Sequence, residues 1–231
     1  SIIPNLTALK EYKPMLSKFW SEGLFDEMDK RYFRLVNRAP DLGDVIRWDE
    51  LGEYSPYDTF RSIFKGKNVG KESYLDQMMH FDFKTLLPAL LQVEDRMSMA
   101  WGVESRVPFL DHPLVELVAT IPANIKIKEG KMKYILHQVA TPYLPSKILD
   151  RTDKKGFPTP FIQWIQGEAR QFALDVFSST KAQSRYFIDN KKVFRMLDKE
   201  PKYGRNIWGL LCLELWQQEY HDKREFFRSL I

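Results

Sequence analysis

Hydrophobic residues recur three and four positions apart along most of this chain, which is the spacing of one face of an α-helix. The spacing predicts helices over residues 19–36, 57–64, 73–81, 84–100, 113–121, 130–140, 161–177, 191–197 and 205–220. Ser73 and Asp111 stand where a helix N-cap is expected, and prolines and glycines separate many of the segments. No run of alternating residues is long enough to require a β-sheet. The pattern therefore predicts a mainly α protein.

Short connections between the predicted helices favour one compact helical domain. Residues 1–70 could form a separate helical lobe, and residues 71–231 the main helical part, although no linker composition marks the boundary. The last helix is the most apolar. Its run Leu210-Leu211-Cys212-Leu213 predicts that Cys212 is a small buried core residue.

Composition excludes several classes of protein. Hydrophobic residues make up 44% of the 231 residues and charged residues 29%, which is ordinary for a globular protein. The net charge of +4 is small and the basic residues are interleaved with acidic ones, so no nucleic-acid-binding patch is indicated. We expect a cytoplasmic protein for three reasons: the sequence has a single cysteine, it has no apolar run of membrane-spanning length, and it shows no signal peptide. Because the chain starts with Ser1 and not Met, we expect a fragment.

Familiar catalytic motifs do not occur. The sequence has no Gly-x-Gly-x-x-Gly, no Gly-x-Ser-x-Gly and no histidines or cysteines at zinc-ligand spacing. Two segments are nevertheless unusual. Residues 95–111 place three acids and two arginines in a mostly apolar stretch, which indicates either a salt-bridge network or a ligand site. Residues 151–160 place lysines before a glycine, which indicates either a solvated loop or a segment that closes over an anion.

These two segments carry a resemblance to a known family. The stretches Asp95-Arg96-Met97-Ser98-Met99-Ala100 and Glu104-Ser105-Arg106-Val107-Pro108-Phe109-Leu110-Asp111 resemble the second half of the asparagine synthase domain. Three later elements are similar to the same family, in the same order: Gly130-Lys131-Met132-Lys133-Tyr134, Arg151-Thr152-Asp153-Lys154-Lys155-Gly156-Phe157 and Tyr203-Gly204-Arg205-Asn206-Ile207-Trp208-Gly209-Leu210-Leu211. The resemblance covers roughly residues 81–220 and is weaker over the first 70.

The resemblance implies a fold and an activity. The chain would be the C-terminal helical portion of an α/β adenine-nucleotide α-hydrolase-like synthetase domain, whose parallel sheet is not in this chain. The family adenylates aspartate with ATP and Mg²⁺, and then forms asparagine with ammonia that an N-terminal glutaminase domain releases from glutamine. The family's Ser-Gly-Gly-x-Asp-Ser loop and Gly-x-Gly-x-Asp-Glu motif are absent from this sequence, as is the glutaminase's N-terminal cysteine. We therefore expect missing glutaminase and nucleotide-binding segments and an inactive isolated chain, and a homodimer is left open.

The resemblance also implies roles for particular residues. Lys154 matches the loop lysine on the pyrophosphate side of the reaction, and Lys133 matches a second lysine aimed at phosphate. Because two residues separate Arg151 from Lys154 where the family pattern has one, Lys155 is the fallback. The roles of Glu104, Arg106 and Asp111 are open between substrate contact and structural pairing. This chain supplies no assigned cofactor-binding or metal-ligating residue.

Two other functions remain open. One is a related synthetase, either β-lactam-synthetase-like or of another amidotransferase type. The other is a non-catalytic helical module used for assembly.

Overall fold

The computed structural model describes residues 23, 25–67, 69, 73–151, 159–200 and 204–230. Within these residues the chain is mainly helical, and β-structure is confined to two isolated bridges, so the predicted mainly α class is confirmed. The chain divides into two units. The first comprises Ser1–Val36 and Ser55–Lys154, and the second comprises Asn37–Tyr54 and Lys155–Ile231. The predicted boundary after residue 70 falls inside the first unit.

The described part of the first unit contains the first eight helices. They are α1 (Met28–Val36), α2 (Pro56–Phe64), α3 (Tyr74–Lys84), α4 (Leu86–Met99), α5 (His112–Thr120), α6 (Ala123–Lys126), α7 (Tyr134–Ala140) and α8 (Ser146–Leu149), with a 3₁₀ turn at Pro108–Leu110. Caps fix two of the starts: Ser55 Oγ accepts a hydrogen bond from Asp58 N, and Ser73 Oγ accepts one from Asp76 N. The helix bounds confirm the helices predicted over 57–64, 73–81, 84–100 and 113–121 to within a few residues.

An aromatic cluster forms the core of the first unit. Tyr32, Phe60 and Phe64 are buried, and Phe33, Tyr57 and Phe81 are among the partly buried residues that pack around them. The ring centroids of Phe60 and Phe81 lie 4.7 Å apart. Tyr32 donates a 2.9 Å hydrogen bond to Asp82 Oδ1, and burial together with this bond raises the pKa of the Tyr32 phenol. The cluster therefore joins α1, α2 and α3.

The described part of the second unit contains six helices. They are α9 (Phe161–Gln166), α10 (Arg170–Ser178), α11 (Thr180–Gln183), α12 (Asn190–Lys199), α13 (Asn206–Trp216) and α14 (Arg224–Arg228), with 3₁₀ turns at Ala39–Leu42 and Trp48–Leu51 and a π-turn at Gln217–His221. The side chain of Asp189 caps α12 by accepting hydrogen bonds from the backbone amides of Lys191 and Lys192.

Residues 37–54 belong to the second unit because their backbone pairs with its later part. Arg47 N donates to Phe187 O and Asp189 N donates to Val45 O, each at 2.9 Å. Val45, Ile46 and Ile188 enter the same buried cluster as the apolar faces of α9, α10, α12 and α13. The paired residues are more than 130 positions apart in the sequence, which explains why the second unit combines an early segment of the chain with a late one.

The second unit also buries a charged network. Arg185 Nε and Nη2 donate to the two carboxylate oxygens of Glu214 at 3.0 Å each. Arg185 Nη1 and Nη2 donate to the two oxygens of Asp222 at 2.9 and 2.8 Å. Glu214 is 1% exposed, so the guanidinium compensates a carboxylate that has lost its water.

An interrupted helix and an exposed cysteine are among the differences from the sequence predictions. The helix predicted over 161–177 is interrupted between Gln166 and Arg170. The helix predicted over 205–220 is confirmed, because α13 continues without a break into the π-helical turn Gln217–His221. Cys212 is exposed and not buried, because α13 turns Ile207, Leu210, Leu211 and Glu214 toward the core, and Cys212 lies outside that face.

No helix among the described residues is long and apolar enough to cross a membrane.

Candidate functional site

The end of α4 is shaped by a glycine C-cap in the first motif segment. Val103 N donates to Ser98 O and Gly102 N donates to Met99 O, each at 3.0 Å, which is the bond pattern of a Schellman motif. Gly102 has φ +66°, a conformation that side-chain-bearing residues rarely adopt. The motif ends α4 and sends the chain into the segment that carries Glu104, Ser105 and Arg106.

Glu104 and Arg106 form an ion pair at the surface. Arg106 Nη2 lies 3.1 Å from Glu104 Oε2, and the two side chains are 81% and 71% exposed. Solvent screens such a pair, so it contributes little to stability. Ser105 Oγ donates a 3.1 Å hydrogen bond to Glu94 Oε1 on α4 and so fastens the segment to the helix. These two charges are therefore paired with each other at the surface, and whether they also contact a substrate stays a prediction.

Asp111 lies at the N-cap position of α5, as the sequence predicts. Its backbone carbonyl accepts a hydrogen bond from Val115 N at 2.9 Å, but its side chain makes no capping bond. Pro108 O accepts a hydrogen bond from Asp111 N at the end of the 3₁₀ turn. The Asp111 carboxylate is thus not used to start the helix.

Sequence reasoning did not find the role of Glu94, the carboxylate that holds Ser105. Glu94 lies in the third turn of α4, 11 positions before Ser105, and belongs to none of the quoted motifs. An acid on an exposed helix face carries no sequence signal that distinguishes it from any other surface acid.

The Gly130 to Tyr134 element begins as a tight hairpin and not as a helix. Lys128 and Lys131 exchange backbone hydrogen bonds of 3.2 and 2.9 Å, and Glu129 and Gly130 between them have φ of 54° and 73°. Positive φ at both central positions is the geometry of a type I′ turn. The helix predicted from residue 130 therefore starts only at Tyr134.

Lys133 has a strained backbone just before α7. Its φ and ψ are 57° and 33°, in the left-handed region, and it is exposed. Glu129 owes its positive φ to the hairpin, but Lys133 lies outside that turn. Residues other than glycine that have a left-handed backbone cluster at functional positions. The geometry therefore marks Lys133 as a candidate functional residue but does not assign its role.

Contacts on either side hold the Lys133 element in place. Lys128 Nζ lies 5.3 Å from the centroid of the Tyr134 ring, within the range of a cation–π interaction. The His137 ring Nε2 lies 3.0 Å from Leu149 O, which joins α7 to α8. Among the described residues, no hydrogen bond or ion pair joins Lys133 to Glu104, Arg106 or Asp111.

Lys154 and Lys155 lie outside the described residues, so their predicted roles are not tested. The described residues also contain no group of three or more histidine, cysteine, aspartate or glutamate side chains placed to hold a metal ion.

Comparison with known proteins defines the family. The Asparagine synthase family model matches residues 6–218, and the chain therefore belongs to the asparagine synthase family. It is 28% identical to Asparagine synthetase [glutamine-hydrolyzing] 1 of Bacillus subtilis (strain 168) over 198 residues, which is 83% of this chain and 31% of the relative.

Two further relatives match shorter stretches. A Putative asparagine synthetase [glutamine-hydrolyzing] of Mycobacterium bovis is 34% identical over 61% of this chain and 22% of its own length. Asparagine synthetase [glutamine-hydrolyzing] 1 of Saccharomyces cerevisiae is 36% identical over 38% of this chain and 18% of its own length. The chain thus spans less than a third of each of these three relatives. No solved structure shows significant similarity to it.

Proposed function

We propose that this chain forms part of an ATP-dependent ligase that adenylates the side-chain carboxylate of aspartate and makes asparagine with glutamine-derived ammonia. The observation that carries the proposal is the family match over residues 6–218. The relatives named above, which are named as glutamine-hydrolysing asparagine synthetases, support the choice of aspartate, ATP and glutamine as substrates.

In this proposal Lys133 and Lys154 place positive charge near the phosphates, with Lys155 as the alternative to Lys154. A lysine ammonium positioned where negative charge develops on a leaving pyrophosphate stabilises the transition state more than the ground state. The left-handed backbone of Lys133 supports a positional requirement, because strain of that kind persists only where the surrounding structure enforces it.

We further propose that ATP and Mg²⁺ are held mainly by other parts of a longer protein. The phosphate-binding loop and the acidic motif of the family do not occur in this sequence, and the described residues offer no metal-binding cluster. Residues of this chain would then contribute charge to the phosphates but not the nucleotide cradle. The isolated 231-residue chain is accordingly expected to form no asparagine.

The surface of the first unit supports a role within a larger assembly. Helices α4, α5 and α7 contain no fully buried residue, and Trp101, Phe109 and Tyr143 are 86%, 72% and 80% exposed. Monomeric proteins rarely expose large apolar patches, so this number of exposed apolar side chains favours a surface that is covered in an assembly. We propose that this surface packs against the part of a longer synthetase that corresponds to the unmatched length of the relatives.

Pyrophosphate release by the complete protein with aspartate and ATP tests the proposal. We expect Lys133→Ala and Lys154→Ala each to lower the rate by about 100-fold, the range for loss of one transition-state charge contact. Lys131→Ala, in the neighbouring hairpin, is the matched control and should leave the rate nearly unchanged. Full activity in both Lys133→Ala and Lys154→Ala would refute the catalytic roles and favour the non-catalytic assembly module.

A further inference from the structure

Lys133 is held in its left-handed conformation from both sides, although this backbone geometry is unfavourable for a lysine. At φ +57° the Cβ atom comes close to a carbonyl oxygen, and the surrounding structure has to offset that cost. On the helix side, His137 N donates a 3.0 Å hydrogen bond to Lys133 O, so the Lys133 carbonyl already takes part in α7. The remaining restraint comes from the hairpin that precedes Lys133.

Lys128 restrains Lys133 through two different contacts. Its backbone exchanges hydrogen bonds of 3.2 and 2.9 Å with the backbone of Lys131 across the hairpin turn. Its side-chain ammonium lies 5.3 Å from the centroid of the Tyr134 ring. Lys133 lies between Lys131 and Tyr134, and both of these residues are therefore attached to Lys128.

A buried lysine fixes the base of the same hairpin. Lys126 is 8% exposed, and its Nζ lies 3.4 Å from Oδ1 of Asp76, near the start of α3. A lysine buried to this extent resists displacement, because separation from the carboxylate would leave a desolvated charge. The hairpin is thus tied to α3 and not only to the residues next to Lys133.

We propose that Lys128 and Tyr134 are positioning residues that set the direction of the Lys133 side chain. Lys133 is exposed, so its backbone conformation and not packing determines where the side chain points. A charge that acts in a transition state is most effective when it is placed before the reaction starts. The inference rests on the proposed function, in which the Lys133 ammonium lies near the phosphates.

Pyrophosphate release by the complete protein with aspartate and ATP measures the positioning. Lys128→Met removes the ammonium and should lower kcat about fivefold, as expected for loss of one exposed cation–π contact, whereas Lys128→Arg keeps a cation and should stay within about twofold of the parent. Tyr134→Leu should lower kcat as Lys128→Met does, and Tyr134→Phe, which keeps the ring, should not. Lys147→Met, at an exposed lysine on α8, is the control and should leave kcat unchanged.

A double substitution separates positioning from a general loss of stability. If Lys128 acts through Lys133, Lys128→Met should cause no further loss of rate in a Lys133→Ala background. The same loss in both backgrounds, no loss in Lys128→Met, or an equal loss in Lys128→Met and Lys128→Arg would overturn the proposal. Absence of pyrophosphate release from the unsubstituted protein would instead refute the proposed function.

The contact itself is tested without any activity. In carbon-13 spectra of the complete protein labelled at its lysine methylene groups, the Lys128 signal is identified by its loss in Lys128→Arg. The ring of Tyr134 should shift the attached protons of Lys128 upfield, and Tyr134→Leu should remove that shift while Tyr134→Phe keeps it. A Lys128 signal that does not respond to Tyr134→Leu would overturn the proposal whatever the activity.

Urea unfolding tests the backbone restraint. Lys133→Gly should be more stable than Lys133→Ala by about fivefold in the unfolding equilibrium constant, because glycine adopts a positive φ without the steric cost. At Gln138, an exposed position inside α7, the order should be reversed and glycine should be less stable than alanine. Greater stability of alanine at both positions would overturn the proposal, since Lys133 would then not be held in the left-handed conformation.

Discussion

Replacing Arg185 with methionine should destabilise the second unit more than any exposed ion-pair substitution. The guanidinium donates four hydrogen bonds of 2.8–3.0 Å to Glu214 and Asp222. The side chains of these carboxylates are 1% and 14% exposed, so water cannot replace the lost donors without local opening. Methionine keeps much of the volume of arginine, and the substitution therefore removes charge and hydrogen bonds more than packing.

The size of the effect follows from the contacts that remain. Removing one partner of a buried ion pair costs about 3–5 kcal/mol, because the other charge is left buried and uncompensated. Gln218 Nε2 still donates to Glu214 Oε1 at 2.9 Å, and Lys181 Nζ remains 3.6 Å from Asp222 Oδ2. These residual contacts place the expected loss near the lower end, at about 3 kcal/mol.

Urea unfolding followed by tryptophan fluorescence measures the loss. Arg170→Met is the matched control, because Arg170 pairs with Asp198 at 2.6 Å but the two side chains are 38% and 60% exposed. Breaking that exposed pair should cost less than about 1 kcal/mol. A loss below about 1 kcal/mol in Arg185→Met would refute the reasoning, since it would mean that the network contributes no more than a surface pair.

Two further measurements separate charge from packing. Adding Glu214→Met to Arg185→Met should restore most of the stability, because the uncompensated buried carboxylate is then removed. Hydrogen bonding from Arg185, partly opposed by burial, lowers the pKa of Asp222. A carboxyl group whose pKa is lowered on folding stabilises the folded state when the pH is above the ordinary carboxyl pKa. That stabilisation is lost as the pH falls through the folded-state pKa. The deficit of Arg185→Met should therefore shrink as the solution is acidified below about pH 4.

Three other outcomes follow from the structure. Gly102→Ala should lower the free energy of unfolding in urea by about 1 kcal/mol, because Gly102 has φ +66°. Gly209 lies inside α13 with open space around it and no positive φ, so Gly209→Ala should raise the free energy of unfolding by up to about 1 kcal/mol. Destabilisation by both substitutions would contradict the backbone argument. Burial raises the pKa of Glu200, so the folded state gains most from this carboxyl at low pH and loses that gain as the pH rises through the raised pKa. Glu200→Gln should therefore become more favourable relative to the parent between about pH 4 and pH 7, as measured by urea unfolding, and an unchanged difference would exclude a buried charge. The isolated chain should enhance the fluorescence of 8-anilinonaphthalene sulfonate, and replacing Trp101 and Phe109 with glutamate should lower that signal without changing the circular dichroism spectrum.

Most helices of this chain could be predicted because their signals are local. Ser73 and Ser55 cap α3 and α2 through their own hydroxyl groups, and the apolar spacing within each helix does not depend on the rest of the fold. The interruption after Gln166 was not predicted, because the apolar residues on either side continue at helical spacing. The hairpin before α7 was missed although Gly130 carries a turn signal.

The two-unit division could not be predicted from local signals. Residues 37–54 join the second unit through backbone bonds to residues near 188, and no composition change marks that pairing. The exposure of Cys212 has a related cause. Apolar residues occur on every side of α13, so the sequence does not show which side faces the core. The buried face in fact includes Glu214, whose burial requires the distant Arg185.

The two units differ in how completely each buries its own apolar surface, and this difference bears on function. In the second unit, α9, α10, α12 and α13 contribute to one buried cluster. Among the described residues of the first unit, the buried aromatic cluster lies in α1, α2 and α3, whereas α4, α5 and α7 leave large apolar side chains exposed. The family-like segments around Glu104 and Lys133 lie on or beside these exposed helices. A site built where one surface is incomplete can be closed by another polypeptide segment, as the function proposed above requires.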